Sequence, residues 1–153
     1  MENRPPKRGN TNTTFPRWIF MDANLVGTNF SGANLRGFSI AGNTRWDDSF
    51  ITGADLTGAR LGIPLMESGT SEMVERTVSM SGTDLTGATL KDTDLTDVDL
   101  TGATLQDANL TGAILKNTGL RNANLKDATV TQEQLNESKS LERATMPDGT
   151  IHD

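Results

Sequence analysis

Large apolar residues fall at every fifth position from Leu85 to Leu125, and the series closes on Val130. Two residues before each of them the side chain is small or β-branched: Thr83, Ala88, Thr93, Val98, Ala103, and so on to Ala128. The residue in between is mostly polar, as at Asp84, Thr89, Asp94, Asp99, Thr104, Asn109 and Thr129. Side chains of a strand alternate between its two faces, so the large residue and the small one share a face and the polar one points the other way. Two residues after the large apolar position stands Gly87, Asp92, Asp97, Gly102, Asp107, Gly112, Asn117, Asn122 or Asp127. Gly, Asn and Asp are the residues that accept a positive φ and close turns with their own backbone. Each pentad therefore predicts a three-residue extended segment with two inward side chains, followed by a corner. A helix cannot use this pattern, because a five-residue step advances about 500° and would spread the leucines around every side. A chain that turns a corner after each short segment winds into a tube whose successive turns pair as parallel strands, a β-solenoid.

The same period opens the chain, with large apolar residues at Phe15, Phe20, Leu25, Phe30, Leu35 and Ile40. It then slips by one: Ile40 to Trp46 is six residues, after which Trp46, Ile51, Leu56 and Leu61 are again five apart. The slip predicts one extra residue at the corner near Gly42 and Asn43, the tube's counterpart of a bulge. Trp18 and Phe38 break the small-residue rule 20 residues apart, which favours four sides per coil over three. Once the slip is counted, the next residue in their column is Ala59. The two aromatics read as widening or sealing the first coils.

Residues 62–79 abandon the period. Pro64-Leu65-Met66 reads as one more side, residues 67–77 as an excursion, and Val78-Ser79-Met80-Ser81-Gly82 as the restart. Loops that leave a solenoid are where partners usually bind. Glu67, Glu72, Met73, Glu75 and Arg76 are the candidate partner-binding residues, adaptable Met beside charge. An insertion merely tolerated on the tube wall fits the same residues equally well. After Val130, Thr131 and Gln134 have the spacing of a capping box opening a short helix. Leu135 and Leu141 are expected to face the last coil, and Pro147-Asp148-Gly149 signals a turn. The organisation expected is a mobile arm over 1–14, the first part of the tube over 15–66, an inserted loop over 67–77, the second part over 78–130, and a capping helix and tail over 131–153.

Ala108-Asn109-Leu110-Thr111-Gly112 and Ala123-Asn124-Leu125-Lys126-Asp127 resemble the tandem A-(D/N)-L-x-x consensus of the pentapeptide-repeat family. Residues 140–149 are similar to the tail of members from cyanobacteria and chloroplasts. The resemblance implies an all-β fold, a right-handed quadrilateral parallel β-helix of about five coils with a short C-terminal capping α-helix, each coil holding four repeats. It also implies a non-catalytic structural or protein-interaction module, with another protein as partner. Some members bind DNA gyrase as acidic mimics of duplex DNA, which is the alternative.

Composition bears on that choice. The net charge is −6. Between Phe15 and Leu61, however, four acids are balanced by Arg17, Arg36, Arg45 and Arg60, and between Ser81 and Val130 seven acids face four bases. A mimic of one phosphate charge per about 1.7 Å should be far more acidic. Arg4, Lys7 and Arg8 are too few to predict direct nucleic-acid binding. No apolar run approaches the roughly 20 residues that span a bilayer, so membrane insertion is not expected. The basic amino terminus lacks an apolar core for a signal peptide. The compartment would be the thylakoid lumen or periplasm if a presequence has been removed, and the cytoplasm otherwise. The lid at the carboxyl end argues for a monomer. The chain has no Cys, and its single His, His152, lies one residue from the last. With no nucleophile, phosphate loop or metal-ligand spacing, no catalytic residue, cofactor or metal site is expected. Asp107 and Asp127 would stack one coil apart with room for a cation between them, but Asp at that position is first a turn requirement.

Overall fold

The computed structural model describes residues 19–41, 43–63 and 78–153. Trp18, the arm over 1–14, Gly42 and the expectations placed on 64–77 lie outside the described residues. Three short strands, β1 (Ile19–Met21), β2 (Ser39–Ala41) and β3 (Arg60–Ile63), form a parallel sheet in that order. Elsewhere each pentad contributes a single parallel bridge through its outward residue. The bridges run in four columns, one for each side of the tube. Side 1 stacks Asn24, Arg45, Ser79, Asp99, Gly119 and Ser140; side 2 stacks Asn29, Phe50, Asp84, Thr104, Asn124 and Thr145. Side 3 stacks Asn34, Asp55, Thr89, Asn109 and Thr129, and side 4 stacks Ile19, Ser39, Arg60, Asp94 and Ile114.

One backbone pattern repeats throughout. The large apolar residue donates its N–H to the next coil, as Leu85 does to Thr104 O at 2.7 Å. The outward residue donates back to the coil before, as Thr104 N–H does to Thr83 O at 2.9 Å. At the corner the residue after the turn bonds back to the large apolar one, as Ala88 N–H does to Leu85 O at 3.0 Å. That turn needs a positive φ at its third residue. The corner Gly, Asp and Asn residues supply it, with φ running from 51° at Asp22 to 70° at Gly112.

The interior follows the sequence pattern. Leu85, Leu90, Leu95, Leu100, Leu105 and Leu125 are completely buried, with Ala88, Ala103 and Ala108 beside them. The slip is in the structure too: Asn24, Asn29 and Asn34 pair with residues 21 later, whereas Ile19 pairs with Ser39, 20 later. Phe38 lies in the column of Ala59, since Arg60 N–H donates to the Phe38 carbonyl at 2.7 Å. A second irregularity falls in β3, where the amides of Leu61 and Gly62 both reach Asp94 O, at 2.8 and 3.2 Å. A side chain at Gly62 would run into the Thr96 carbonyl, so only glycine fits.

The two ends differ. At the carboxyl end α1 (Gln132–Asn136) opens with the expected capping box between Thr131 and Gln134 and buries Leu135. The Gln134 amide also donates to Leu110 O and Ala113 O, at 2.8 and 2.7 Å. Ala113 O is the carbonyl that a further rung on side 4 would have bonded, so one side chain replaces a missing strand. Beyond α1 the chain re-enters the ladder at Ser140 and Thr145, with Leu141 and Met146 at the large apolar position and Ala144 buried between them. It then turns at 147–149, and Ile151 pairs antiparallel with Thr145 along the edge. At the amino end Phe20, Leu25, Phe30 and Leu35 are only partly buried. Among the described residues no helix is long and apolar enough to cross a membrane.

Candidate interaction surface

The residues singled out for partner binding, Glu67, Glu72, Met73, Glu75 and Arg76, lie outside the described residues. What the structure defines is the seam across which they are inserted, between Ile63 on side 4 and Val78 on side 1. Arg45 pairs with Ser79, Phe50 with Asp84, Asp55 with Thr89 and Arg60 with Asp94, each 34 residues apart. The coils that follow, as from Ser79 to Asp99, step by 20 as far as Gly119 and Asn124. The tube thus resumes in register on every side after 14 surplus residues.

The resumption is held by a polar cluster on side 1. Asp47 sits at a turn position that usually faces solvent, yet its side chain is only 10% exposed. One carboxylate oxygen accepts from the Ser79 hydroxyl and from the Ser81 amide at 3.2 Å. The other takes the Arg45 guanidinium at 2.8 Å. Ser81 continues the chain of bonds to Asp99 at 3.3 Å. Burial raises the Asp47 pKa, but the bonds from Ser79, Arg45 and Ser81 outweigh it, and the carboxyl is held below its ordinary value. Sequence pattern does not reveal this cluster, because Asp47 and Ser79 are joined only by the coil-to-coil register.

Several other acids are tied to turns. Oδ1 of Asp84, Asp94 and Asp99 accepts the amide two residues on, at 3.0, 3.0 and 2.9 Å, and the Thr101 hydroxyl adds a second bond to Asp99. Asp55 receives the Thr57 amide and hydroxyl and pairs with Arg36 at 3.0 Å. For Asp55, burial raises the pKa while the Thr57 bonds and Arg36 lower it further, leaving it below the usual range. These local bonds are why Asp and Asn occupy the outward position. Asp107 and Asp127 occupy successive corners of side 2, both exposed. Among the described residues no three His, Asp or Glu side chains converge to hold a metal ion.

His152 lies on the rim of an open groove of about 420 Å³ between α1 and the terminal hairpin, lined by Val130, Leu135, Met146 and Ile151. Its ring contacts the Asp153 carbonyl at 3.0 Å, while its backbone closes the edge through Ala144 O and the Arg143 amide.

The family model of pentapeptide repeats matches this chain in 8 copies, over residues 11–38, 79–117 and 93–132. The chain belongs to the pentapeptide-repeat family. Members fold as right-handed β-helices. Among solved structures this pentapeptide-repeat protein is similar to HetL, a pentapeptide repeat protein involved in heterocyst differentiation regulation in the cyanobacterium Nostoc sp. strain PCC 7120. The two are 28% identical with a TM-score of 0.66, over 88% of this chain and 64% of HetL. The chain therefore spans a little under two thirds of HetL's length. A pentapeptide repeat protein of the Arabidopsis thaliana thylakoid lumen is 22% identical, with a TM-score of 0.35, over 86% of this chain and 70% of that one. One from the cyanobacterium Cyanothece 51142 is 19% identical, with a TM-score of 0.40, over 89% and 88%. Among curated proteins none matches the chain.

Proposed function

We propose that this pentapeptide-repeat protein is a non-catalytic protein-interaction module. In this reading a four-sided tube of about five coils, closed at its carboxyl end by α1, carries residues 67–77 as the partner-binding element. The supporting observation is the ladder's continuity: all four sides carry on across the surplus residues, so the tube has no need of them for its own bonding. Residues a scaffold does not use are where binding concentrates. Met73, with Glu67, Glu72, Glu75 and Arg76 around it in sequence, offers an adaptable apolar contact ringed by charge, which suits another protein's surface. The likeness to HetL, described by a regulatory role, supports a protein partner over a small-molecule substrate. The duplex-mimic alternative is weakened by the acids themselves. Asp55, Asp84, Asp94 and Asp99 each commit an oxygen to a turn amide, and Arg36 neutralises Asp55.

Excision of residues 67–77 tests the reading. The shortened chain is expected to keep its β-sheet circular dichroism and melt within a few degrees of the parent, while losing the proteins the full chain retains from a lysate of photosynthetic cells. An identical retained set would sink the loop as the binding element. Inhibition of gyrase supercoiling by the full chain would instead restore the mimic.

A further inference from the structure

We propose that residues 148–153 form a strap with two seats, hinged at Asp148 and Gly149, which exchanges between the hairpin along side 2 and a parallel rung across the open groove on side 3. This device is separate from residues 67–77, and the proposal does not depend on them. The register identifies the second seat. Ser140 stacks on Gly119 and Thr145 on Asn124, each 21 residues on, so the same step carries Thr129 to Thr150. Gly149-Thr150-Ile151 then supplies a small residue, a polar one and a large apolar one, the order of Ala128-Thr129-Val130. The ladder holds as far as Pro147, whose carbonyl takes the Asp127 amide at 3.0 Å, and the chain leaves it only at the next two residues.

In the hairpin, residues 150–152 satisfy the three groups that side 2 presents to a following coil. Thr150 O accepts from the Met146 amide at 2.7 Å, His152 O accepts from the Arg143 amide at 2.8 Å, and the His152 amide donates to Ala144 O at 2.9 Å. Ile151 is left 60% exposed. On side 3 the Val130 amide and the Ala128 carbonyl, which the ladder would give to a following rung, have no partner among the described residues, and the chain is described without a break from Val78 to Asp153 around them. The groove of about 420 Å³ over Val130 is the room that the absent rung leaves. Seated there, Thr150 bonds both groups and Ile151 turns inward over Val130. One backbone bond and the two bonds from Thr150 to Asp148 are exchanged for burial of a large apolar side chain, which leaves the seats close in free energy.

The hinge serves both seats. The ladder's corners have a positive φ at their third residue, and Asp107 and Asp127, in the same column as Asp148, have 58° and 59°. Asp148 does not; Gly149 takes the positive φ instead, at 84°, giving the type I turn followed by a left-handed residue that suits a hairpin. Moving the positive φ back by one residue redirects the chain from side 2 to side 3. The Gly149 amide already donates to Met146 O at 2.9 Å, as Ala128 does to Leu125 O at the preceding corner. Each seat leaves the other edge open, so whatever binds one edge selects a state.

The test is amide hydrogen exchange by NMR on the intact chain and two hinge variants. Gly149→Ala penalises the hairpin, which needs 84° there, and suits the rung, where side 3 already has Ala33, Ala54, Ala88, Ala108 and Ala128 in that column. Relative to the parent it is expected to slow the Val130 amide by 10-fold or more and to speed the Arg143 amide by 10-fold or more, with the Asn124 amide unchanged as the sign of an intact ladder. Asp148→Val opposes the positive φ that the rung needs, so adding it to Gly149→Ala should return the Val130 amide to at least the parent's rate. A Gly149→Ala chain whose Arg143 amide speeds while Val130 stays fast has a tail that only frays, and that result would overturn the proposal. So would a hairpin that accepts alanine with both amides unchanged.

Discussion

The coils after Val78 and those before Ile63 share one architecture and differ in how completely it closes. From Ser79 onward the interior is leucine over alanine, valine or threonine, and the rungs on side 1 step by 20 residues as far as Gly119. Every threonine buried in that half finds an acceptor. Thr83 donates to Trp46 O at 2.8 Å, Thr93 to Leu56 O at 2.9 Å and Thr118 to Leu95 O at 2.8 Å. In the earlier half Trp46 stacks on Phe38 at 5.7 Å and meets Phe30 edge-on at 5.3 Å. There the coil from Ser39 to Arg60 takes 21 residues, and the Ser39 hydroxyl, the Ser49 hydroxyl and the Trp46 indole N–H are buried without partners among the described residues. Leucine with a small neighbour fills a 20-residue coil and leaves its polar groups in register. An indole needs a longer perimeter, and the extra residue falls between Ala41 and Thr44, just ahead of Trp46. Packing around it is bought with polar groups that the regular half does not strand.

The harshest way to probe the comparison is to break the regular half and watch the other. Leu105 is completely buried, so Leu105→Lys forces an ammonium into the core or the side chain out of it, at a cost of about 4 kcal/mol or more. Because each coil bonds to its neighbours through the seam, tryptophan fluorescence, which reports only the amino-terminal half, should be lost together with the β-sheet signal. Thr104, on the outward face, should accept lysine with a change within about 0.5 kcal/mol. Separate transitions for the two probes would mean the halves fold as independent units.

Asp47 tests the seam itself. Removing its carboxylate in Asp47→Ala leaves the Ser79 hydroxyl and Ser81 amide without their acceptor, for about 2 kcal/mol at neutral pH. Since its pKa in the folded chain lies below the ordinary 3.8, the carboxylate stabilises the fold above that value. That contribution is lost as pH falls through the folded pKa. The gap in melting temperature between parent and variant should be full at pH 7 and shrink below about pH 4. A gap that stays constant into acid would show that the ionised carboxylate is not what holds the seam.

The fold was legible because its rule is local. Two inward positions and one corner recur in every pentad, and all the described corner Gly, Asp and Asn residues from Asp22 to Asp127 have the positive φ their types suggest. The slip before Trp46 could be counted, and Thr131 with Gln134 marked the start of α1. Three features escaped. The pentad of Leu141 and Met146 keeps the spacing and has Ala144 at the small position, but its corner is Arg143 at φ 59°, a residue type that gives no turn signal. Gln134 was read as a capping residue, and its bonds to Leu110 and Ala113 depend on where α1 lies over the last coil. Asp47 reads as one more exposed acid until the coil-to-coil register brings Ser79 beside it. The candidate site was legible only as a break in period, since partner chemistry leaves no repeat to read.

The finest test of the difference between the halves exchanges one hydroxyl in each. Thr93→Val keeps the shape and deletes a bond to Leu56 O, which retains the Ala59 amide at 2.9 Å, so the loss should be only about 1 kcal/mol. Ser49→Ala deletes a buried hydroxyl with no partner, and removing an unpaired polar group from an apolar site should stabilise the chain by up to about 1 kcal/mol. The two residues share no partner, so the double variant should melt near the parent, the effects adding to within about 0.5 kcal/mol. Opposite signs from chemically similar deletions are what the contrast requires, because one hydroxyl belongs to a coil whose bonds close and the other to a coil stretched around an indole. If Ser49→Ala destabilised as much as Thr93→Val in chemical denaturation, the Ser49 hydroxyl would have an acceptor in solution, and the amino-terminal coils would be as well satisfied as the leucine coils.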